Sequence, residues 1–140
     1  MIDPVVELSK VRTLSLTHTN VSNKEIARLA HLQHLDSLDL HMSKMHEGPV
    51  PDLERLRLKT LLLNRTRVDD ESIQALRLMD KLEYIDLTRT KVTDAGLKHL
   101  ESLPKLNRVI LRRSLVTRDG FEAFKKSHQL ATVSWEPLDR

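Results

Sequence analysis

Hydrophobic positions along this chain alternate between two spacings. Six short segments alternate apolar with variable residues, as strands do: VRTLSL from residue 11, LDSLDL from 35, LKTLLL from 58, LEYIDL from 82, LNRVIL from 106 and LATVSW from 130. They begin 24, 23, 24, 24 and 24 residues apart. Between them apolar residues recur three apart, the spacing of a helical face, as in Ile26, Leu29 and Leu32, in Ile73, Leu76 and Met79, and in Leu97, Leu100 and Leu103. The repeating unit is therefore a strand, a turn and a short helix. Neighbouring strands that run in one direction need a crossover, and a helix of about ten residues is the ordinary one. The predicted units are 11–34, 35–57, 58–81, 82–105 and 106–129. Before them, residues 1–10 read as a capping half-unit, because Ile2, Val5 and Leu8 stand 24 residues ahead of Ile26, Leu29 and Leu32, with Asp3-Pro4 as its start. After them, 130–140 reads as a closing strand, in which Trp135 fills a core position and Pro137 cannot donate to a further ladder.

The turns repeat as well. Three positions after each strand's last core residue stands a hydroxyl, Thr19, Ser43, Thr66, Thr90 or Ser114, placed to bond backbone groups that an apolar side chain would leave unpaired. An apolar residue returns two positions later, at Val21, Met45, Val68, Val92 and Val116. Helix starts are predicted at the capping box Ser22 to Glu25 and at Asp69, Thr93 and Thr117. The acids that follow, Asp70, Asp94 and Asp119, suit the positive end of a helix dipole. Gly96 and Gly120 precede the first core residue of their helices, where the missing Cβ permits close stacking of turns. The second unit departs from this scheme: in HEGPVPDLERL, Gly48, Pro49 and Pro51 predict a loop with only a short helical turn and a local bend of the outer face.

With these residues in place, LEYIDLTRTKV at 82–92 resembles the leucine-rich repeat pattern L-x-x-L-x-L-x-x-N/C-x-L, with Thr or Ser at the Asn/Cys position. The continuation TDAGLKHLESLPKL is similar to the bacterial, ribonuclease-inhibitor-like variety of that family. The resemblance covers nearly the whole chain. It implies an α/β fold, a right-handed solenoid with a parallel β-sheet on the concave face and short helices on the convex face. It implies little about function, since this scaffold serves many partners.

Composition changes the picture only at its margins. The 140 residues have the length of one domain, and an aromatic content of 3% makes the core aliphatic. A net charge of +3 is too small to demand nucleic acid or an anionic membrane, so any electrostatic argument must be local. The absence of Cys excludes disulfides and thiolate metal sites. MIDPVVELSK lacks the basic start and apolar run of a secretory signal, and no window is long enough to span a membrane. The expected location is the cytoplasm, either as a whole protein or as a soluble domain of a larger one.

Candidate function lies in the positions that the repeat leaves free. Side chains flanking the strand core positions face the concave side in three columns. One holds Thr13, Ser37, Thr60, Tyr84, Arg108 and Thr132, and the next Ser15, Asp39, Leu62, Asp86, Ile110 and Ser134. The third holds Thr17, His41, Asn64, Thr88, Arg112 and Glu136. Beyond them a rim carries Arg65, Arg89 and Arg113 in register, with Lys44, Arg67 and Lys91 beside them. Stacked like charges repel, which suggests an acidic partner surface; a solvated rim that suppresses edge pairing is the plainer explanation. A second candidate is an apolar and aromatic patch of Leu62, Tyr84 and Ile110 flanked by Arg108 and Arg112, residue types that anchor interfaces. Incidental packing against Arg stems is the alternative.

Catalysis is not expected. Ser15, Asp39 and His41 fall on adjacent strands, but an open sheet offers them no oxyanion hole, pocket or strained turn. Neither His18 with His41 nor His31 with His34 has an evident third metal ligand, and no phosphate-loop motif is present. The reading is a non-enzymatic protein-interaction module without a cofactor, monomeric or weakly paired end to end. Phosphate-backbone binding by the Arg/Lys rim is the alternative, opposed by Asp39, Asp86 and the scarcity of exposed aromatics.

Overall fold

The computed structural model describes residues 10–138, so the predicted half-unit with Ile2, Val5 and Leu8 lies outside the described residues. Six strands form one parallel sheet in chain order: β1 (Thr13–Ser15), β2 (Ser37–Asp39), β3 (Thr60–Leu62), β4 (Tyr84–Asp86), β5 (Arg108–Arg112) and β6 (Thr132–Glu136). The register aligns Thr13, Ser37, Thr60, Tyr84, Arg108 and Thr132 in one row, and Ser15, Asp39, Leu62, Asp86, Ile110 and Ser134 in another. These are the rows predicted from the repeat. Between them Leu14, Leu38, Leu61, Ile85, Val109 and Val133 point the other way, into the core.

Four α-helices cross over between strands: α1 (Asn23–Ala27), α2 (Asp70–Gln74), α3 (Asp94–Leu100) and α4 (Arg118–Ser127). The first two continue as 3₁₀ turns over Arg28–His31 and Ala75–Leu78, a tightening common at helix ends. In the second unit the predicted loop is present, with Gly48 at φ 93° and Asp52 at φ 58°, followed by a single 3₁₀ turn, Leu53–Arg55. The sheet and the helices enclose one aliphatic core, to which the aromatic exception is buried Phe124. Trp135 packs half-buried at the far end, stacked on Phe121 at 5.5 Å, and its indole N–H donates to the Val116 carbonyl at 3.0 Å.

The hydroxyl column closes each turn onto its own strand. Thr19, Thr66, Thr90 and Ser114 donate to the carbonyls of Leu16, Leu63, Leu87 and Leu111 at 2.6, 2.6, 2.8 and 2.9 Å. Each bond gives the strand's last core residue a side-chain donor, alongside the long turn N–H bonds that the Leu16, Leu63 and Leu111 carbonyls also accept. Ser43 is the exception: its hydroxyl is buried and has no partner among the described residues.

The helix starts are capped as predicted, and the acids beside the caps do more than complement a dipole. Ser22 and Glu25 form a capping box, and the bonds from Ser22 hold the Glu25 carboxyl below its usual range. Thr93 and Thr117 accept from the N–H groups of Ala95 and Gly120. Asp70 then reaches into the next unit, accepting from the Thr93 N–H at 2.8 Å and the Thr93 hydroxyl at 2.6 Å. Asp94 accepts from Thr117 with the same two distances. Each Asp thereby fixes the cap of the following helix, a bond between units as well as within one. Arg118 stands at the equivalent position of the fifth unit, and Asp119 is displaced by one residue. The ladder of carboxylates stops at Thr117.

Gly96 and Gly120 are the other half of this device. A Cβ on Gly96 would overlap the Asp70 carboxylate, and one on Gly120 would overlap that of Asp94. The close approach that these glycines permit is thus made by a side chain of the preceding unit. Ser72 occupies the same position in the third unit, where the preceding loop sends no carboxylate. Its hydroxyl donates to the Gly48 carbonyl at 2.7 Å and to Asp69 at 2.8 Å. Burial raises the Asp69 carboxyl's pKa, but the N–H and hydroxyl of Ser72 and the Gly48 N–H outweigh it and hold the group below its ordinary value.

Candidate partner-binding face

Each of the first five strands leaves the sheet through a residue in the left-handed region: His18, Met42, Arg65, Arg89 and Arg113, with φ between 53° and 59°. The conformation lets the backbone N–H extend the ladder one step past the strand. Arg65 donates to the Thr88 carbonyl at 2.7 Å, Arg89 to Arg112 at 2.9 Å and Arg113 to Glu136 at 2.7 Å. For a residue with a Cβ this region costs roughly 1–2 kcal/mol, so glycine or asparagine would suit the fold better. Three of the five positions hold Arg instead. Arg89→Gly is accordingly expected to stabilise the protein by about 1 kcal/mol in urea unfolding. An unchanged or lowered midpoint would show that the Arg side chain supports the fold.

The rim residues line two adjoining clefts. The first, of about 410 Å³, is bounded by Met42, Ser43, Lys44, His46, Arg65, Thr66 and Arg67. The second, of about 560 Å³, shares Thr66 and Arg67 and adds Arg89, Thr90, Lys91, Arg113, Leu115 and Leu138. The predicted rim set, Arg65, Arg67, Arg89, Lys91 and Arg113, is therefore gathered on one surface. Its charges are not equivalent. Lys91 is paired with Glu47 of the second unit's loop, and Arg113 lies 3.5 Å from Glu136. The guanidinium groups of Arg65, Arg67 and Arg89 have no hydrogen-bonding or ionic partner among the described residues.

On the sheet, Tyr84 and Arg108 are register neighbours, and the Arg108 guanidinium sits 4.8 Å from the Tyr84 ring centre. Arg112 donates to Ser134 at 3.3 Å. Leu62 and Ile110 are half-buried and stand on either side of Asp86, so the apolar patch surrounds a carboxylate. Asp86 is occupied locally, accepting the Thr88 N–H at 2.8 Å, as Asp39 accepts the His41 N–H at 2.9 Å. The His18 and His41 rings meet edge to face at 5.6 Å, and His41 also contacts the Asn64 amide. Among the described residues no three His, Asp or Glu side chains converge on a point that a metal ion would occupy. Nor, among them, is any helix long and apolar enough to cross a membrane.

The left-handed turn was not legible in the chain, because its column contains neither Gly nor Asn, the residues that mark it. Glu47 stands in the column of Asn23, Asp70 and Asp94, and Leu138 in the column of the turn hydroxyls, so the repeat assigns each a different place and does not point to its role at the rim.

No family model matches the sequence, and no curated protein matches it. Among solved structures, an internalin of Listeria monocytogenes superposes with a TM-score of 0.73 at 18% identity, over 96% of this chain and 37% of its own. Internalin C2 of the same organism superposes with a TM-score of 0.68 at 24% identity, over 94% of this chain and 54% of its own. The chain thus spans between about a third and a half of the internalins it matches. At such identities the likeness is one of fold, and internalins are built of leucine-rich repeats. Six parallel strands at a spacing of 23 or 24 residues, a Ser or Thr at each of the five turns between them and these structural neighbours give the chain a leucine-rich-repeat fold, an α/β solenoid with its sheet on the concave face.

Proposed function

We propose that this solenoid is a non-enzymatic interaction module that holds a protein partner through its concave sheet and basic rim, the partner contributing an acidic surface. The observation that carries the reading is the placement of Arg65, Arg89 and Arg113 in left-handed turns. Arg113 is paired with Glu136, but the guanidinium groups of Arg65 and Arg89 have no partner within the chain among the described residues, so the fold gains no side-chain bond from Arg at these two positions. Tyr84, clasped by Arg108 and with Leu62 and Ile110 in the next row of the sheet, supplies a half-buried anchor. The same cations would also suit phosphates, but no Phe, Tyr or Trp lines either rim cleft to stack on bases.

The test is capture from source lysate, with and without nuclease, by the natural chain and by a variant with Arg65→Glu, Arg89→Glu and Arg113→Glu. A nuclease-resistant protein whose capture falls about tenfold or more in the variant is the expected result, since several rim charges are reversed at once. Capture that the reversal leaves unchanged would remove the rim from the function. Capture that nuclease abolishes would assign the rim to nucleic acid.

A further inference from the structure

Resting on the rim reading, we infer that the two clefts form one groove that binds an extended acidic segment of the partner ending in an aliphatic residue. The clefts adjoin at Thr66 and Arg67, so the lining runs continuously from Met42 to Leu138. Along it the unpartnered guanidinium groups come first, those of Arg65, Arg67 and Arg89. Apolar surface comes second, where Leu115 and Leu138 stand 48% and 53% exposed at the end of the second cleft. Towards the leucine end the cations are already paired, Lys91 with Glu47 and Arg113 with Glu136, whereas Lys44 near Met42 has no ionic partner among the described residues, so the demand for anionic charge lies between Lys44 and Arg89.

An extended chain suits this order of charges. Successive turns of the solenoid lie about 4.8 Å apart, and alternate residues of an extended peptide stand about 6.8 Å apart on one side. Long Arg side chains absorb the difference, so carboxylates at alternate positions meet Arg65 and Arg89 in succession, with Arg67 between them. Guanidinium groups take carboxylates in paired hydrogen bonds, a geometry that rewards a segment held straight. An aliphatic residue after the acids then covers Leu115 and Leu138. A phosphate backbone would match the cations and leave the leucines uncovered.

The probe is a fluorescent peptide of three Glu-Ser repeats followed by two leucines, measured by anisotropy against the natural chain. A second peptide has serines for the leucines, and a single-stranded oligothymidine serves as the phosphate probe. The leucine peptide is expected to bind, to weaken at least tenfold in a variant with Arg65→Ala, Arg67→Ala and Arg89→Ala, and to weaken severalfold in Leu115→Ser. The serine peptide should bind more weakly and be indifferent to Leu115→Ser. Oligothymidine binding as tight as the leucine peptide, or peptide binding that survives the triple Arg variant, would overturn the inference. If lysate capture is lost on charge reversal while the leucine peptide fails to bind, the rim reading stands and the extended segment is rejected. If capture survives reversal, the rim reading itself fails. All substituted side chains lie on the surface or in left-handed turns, and unfolding midpoints of the variants will verify that the fold is intact.

Discussion

Gly96→Ala is expected to destabilise the protein by about 2–3 kcal/mol in urea unfolding. Helix propensity alone predicts the opposite, a gain of roughly 1 kcal/mol for replacing Gly within a helix. The sign is decided by what the new methyl group meets. It would overlap the Asp70 carboxylate and lie 2.8 Å from Val92 Cγ1. Moving Asp70 aside breaks its two bonds to Thr93, at 2.8 and 2.6 Å, and each hydrogen bond to a charged group is worth about 1.5–3 kcal/mol. These losses exceed the helix gain even if half of one is recovered by water.

A double-mutant cycle identifies the cause. In an Asp70→Ala background the carboxylate is gone, so Gly96→Ala should cost about 1 kcal/mol or less, the remainder arising at Val92. The coupling between the two positions is then at least about 1 kcal/mol. Strictly additive effects, or a stabilised Gly96→Ala, would show that the Asp-to-Thr bond between units contributes nothing. Gly120→Ala with Asp94→Ala is a second instance of the same geometry and should couple with the same sign.

The same residues show how much of the molecule could be read from the chain. Strand rows, their register, the helix caps and the irregular second unit all followed from periodicity, because every unit must bury the same face against its neighbours. A constraint that repeats at each unit is visible as a column. Contacts between different columns are not: Asp70 looked like a dipole partner because its bond to Thr93 crosses from one unit to the next. Likewise Arg65, Arg89 and Arg113 were visible as charges, but their left-handed backbone was hidden by the lack of Gly or Asn. Of the candidate site, the membership of the rim was legible and its electrostatics were not. The pairing of Lys91 with Glu47 depends on a loop that breaks the repeat, and no alignment of units could foresee it.

Asn23→Asp, the exchange of one amide for a carboxylate, is expected to cost about 2–3 kcal/mol near neutral pH. Asn23 occupies the position of Asp70 and Asp94 in the first unit, yet it faces the opposite chemistry. The loop that replaces the second helix presents carbonyls, and the Asn23 amide donates to those of His46, Gly48 and Pro49 at 3.2, 3.4 and 3.1 Å. Units three and four need an acceptor because the next helix offers an N–H and a hydroxyl; the first unit needs a donor. A carboxylate among three carbonyl oxygens would lose these bonds and add repulsion between like partial charges. Asn23→Ala loses only the bonds, about 1 kcal/mol, and separates the two contributions. The repulsion also fixes a pH dependence. It raises the folded-state pKa of the introduced carboxyl above its unfolded value, so the penalty is full above that folded pKa and fades as pH falls through it. Once protonated, the carboxyl can donate to one carbonyl and regain part of what the amide supplied. The measurement is the difference in unfolding free energy between Asn23→Asp and Asn23→Ala from pH 7 to pH 4. A gap that closes towards acid supports the account, and one that stays constant would show that the loop carbonyls do not face position 23.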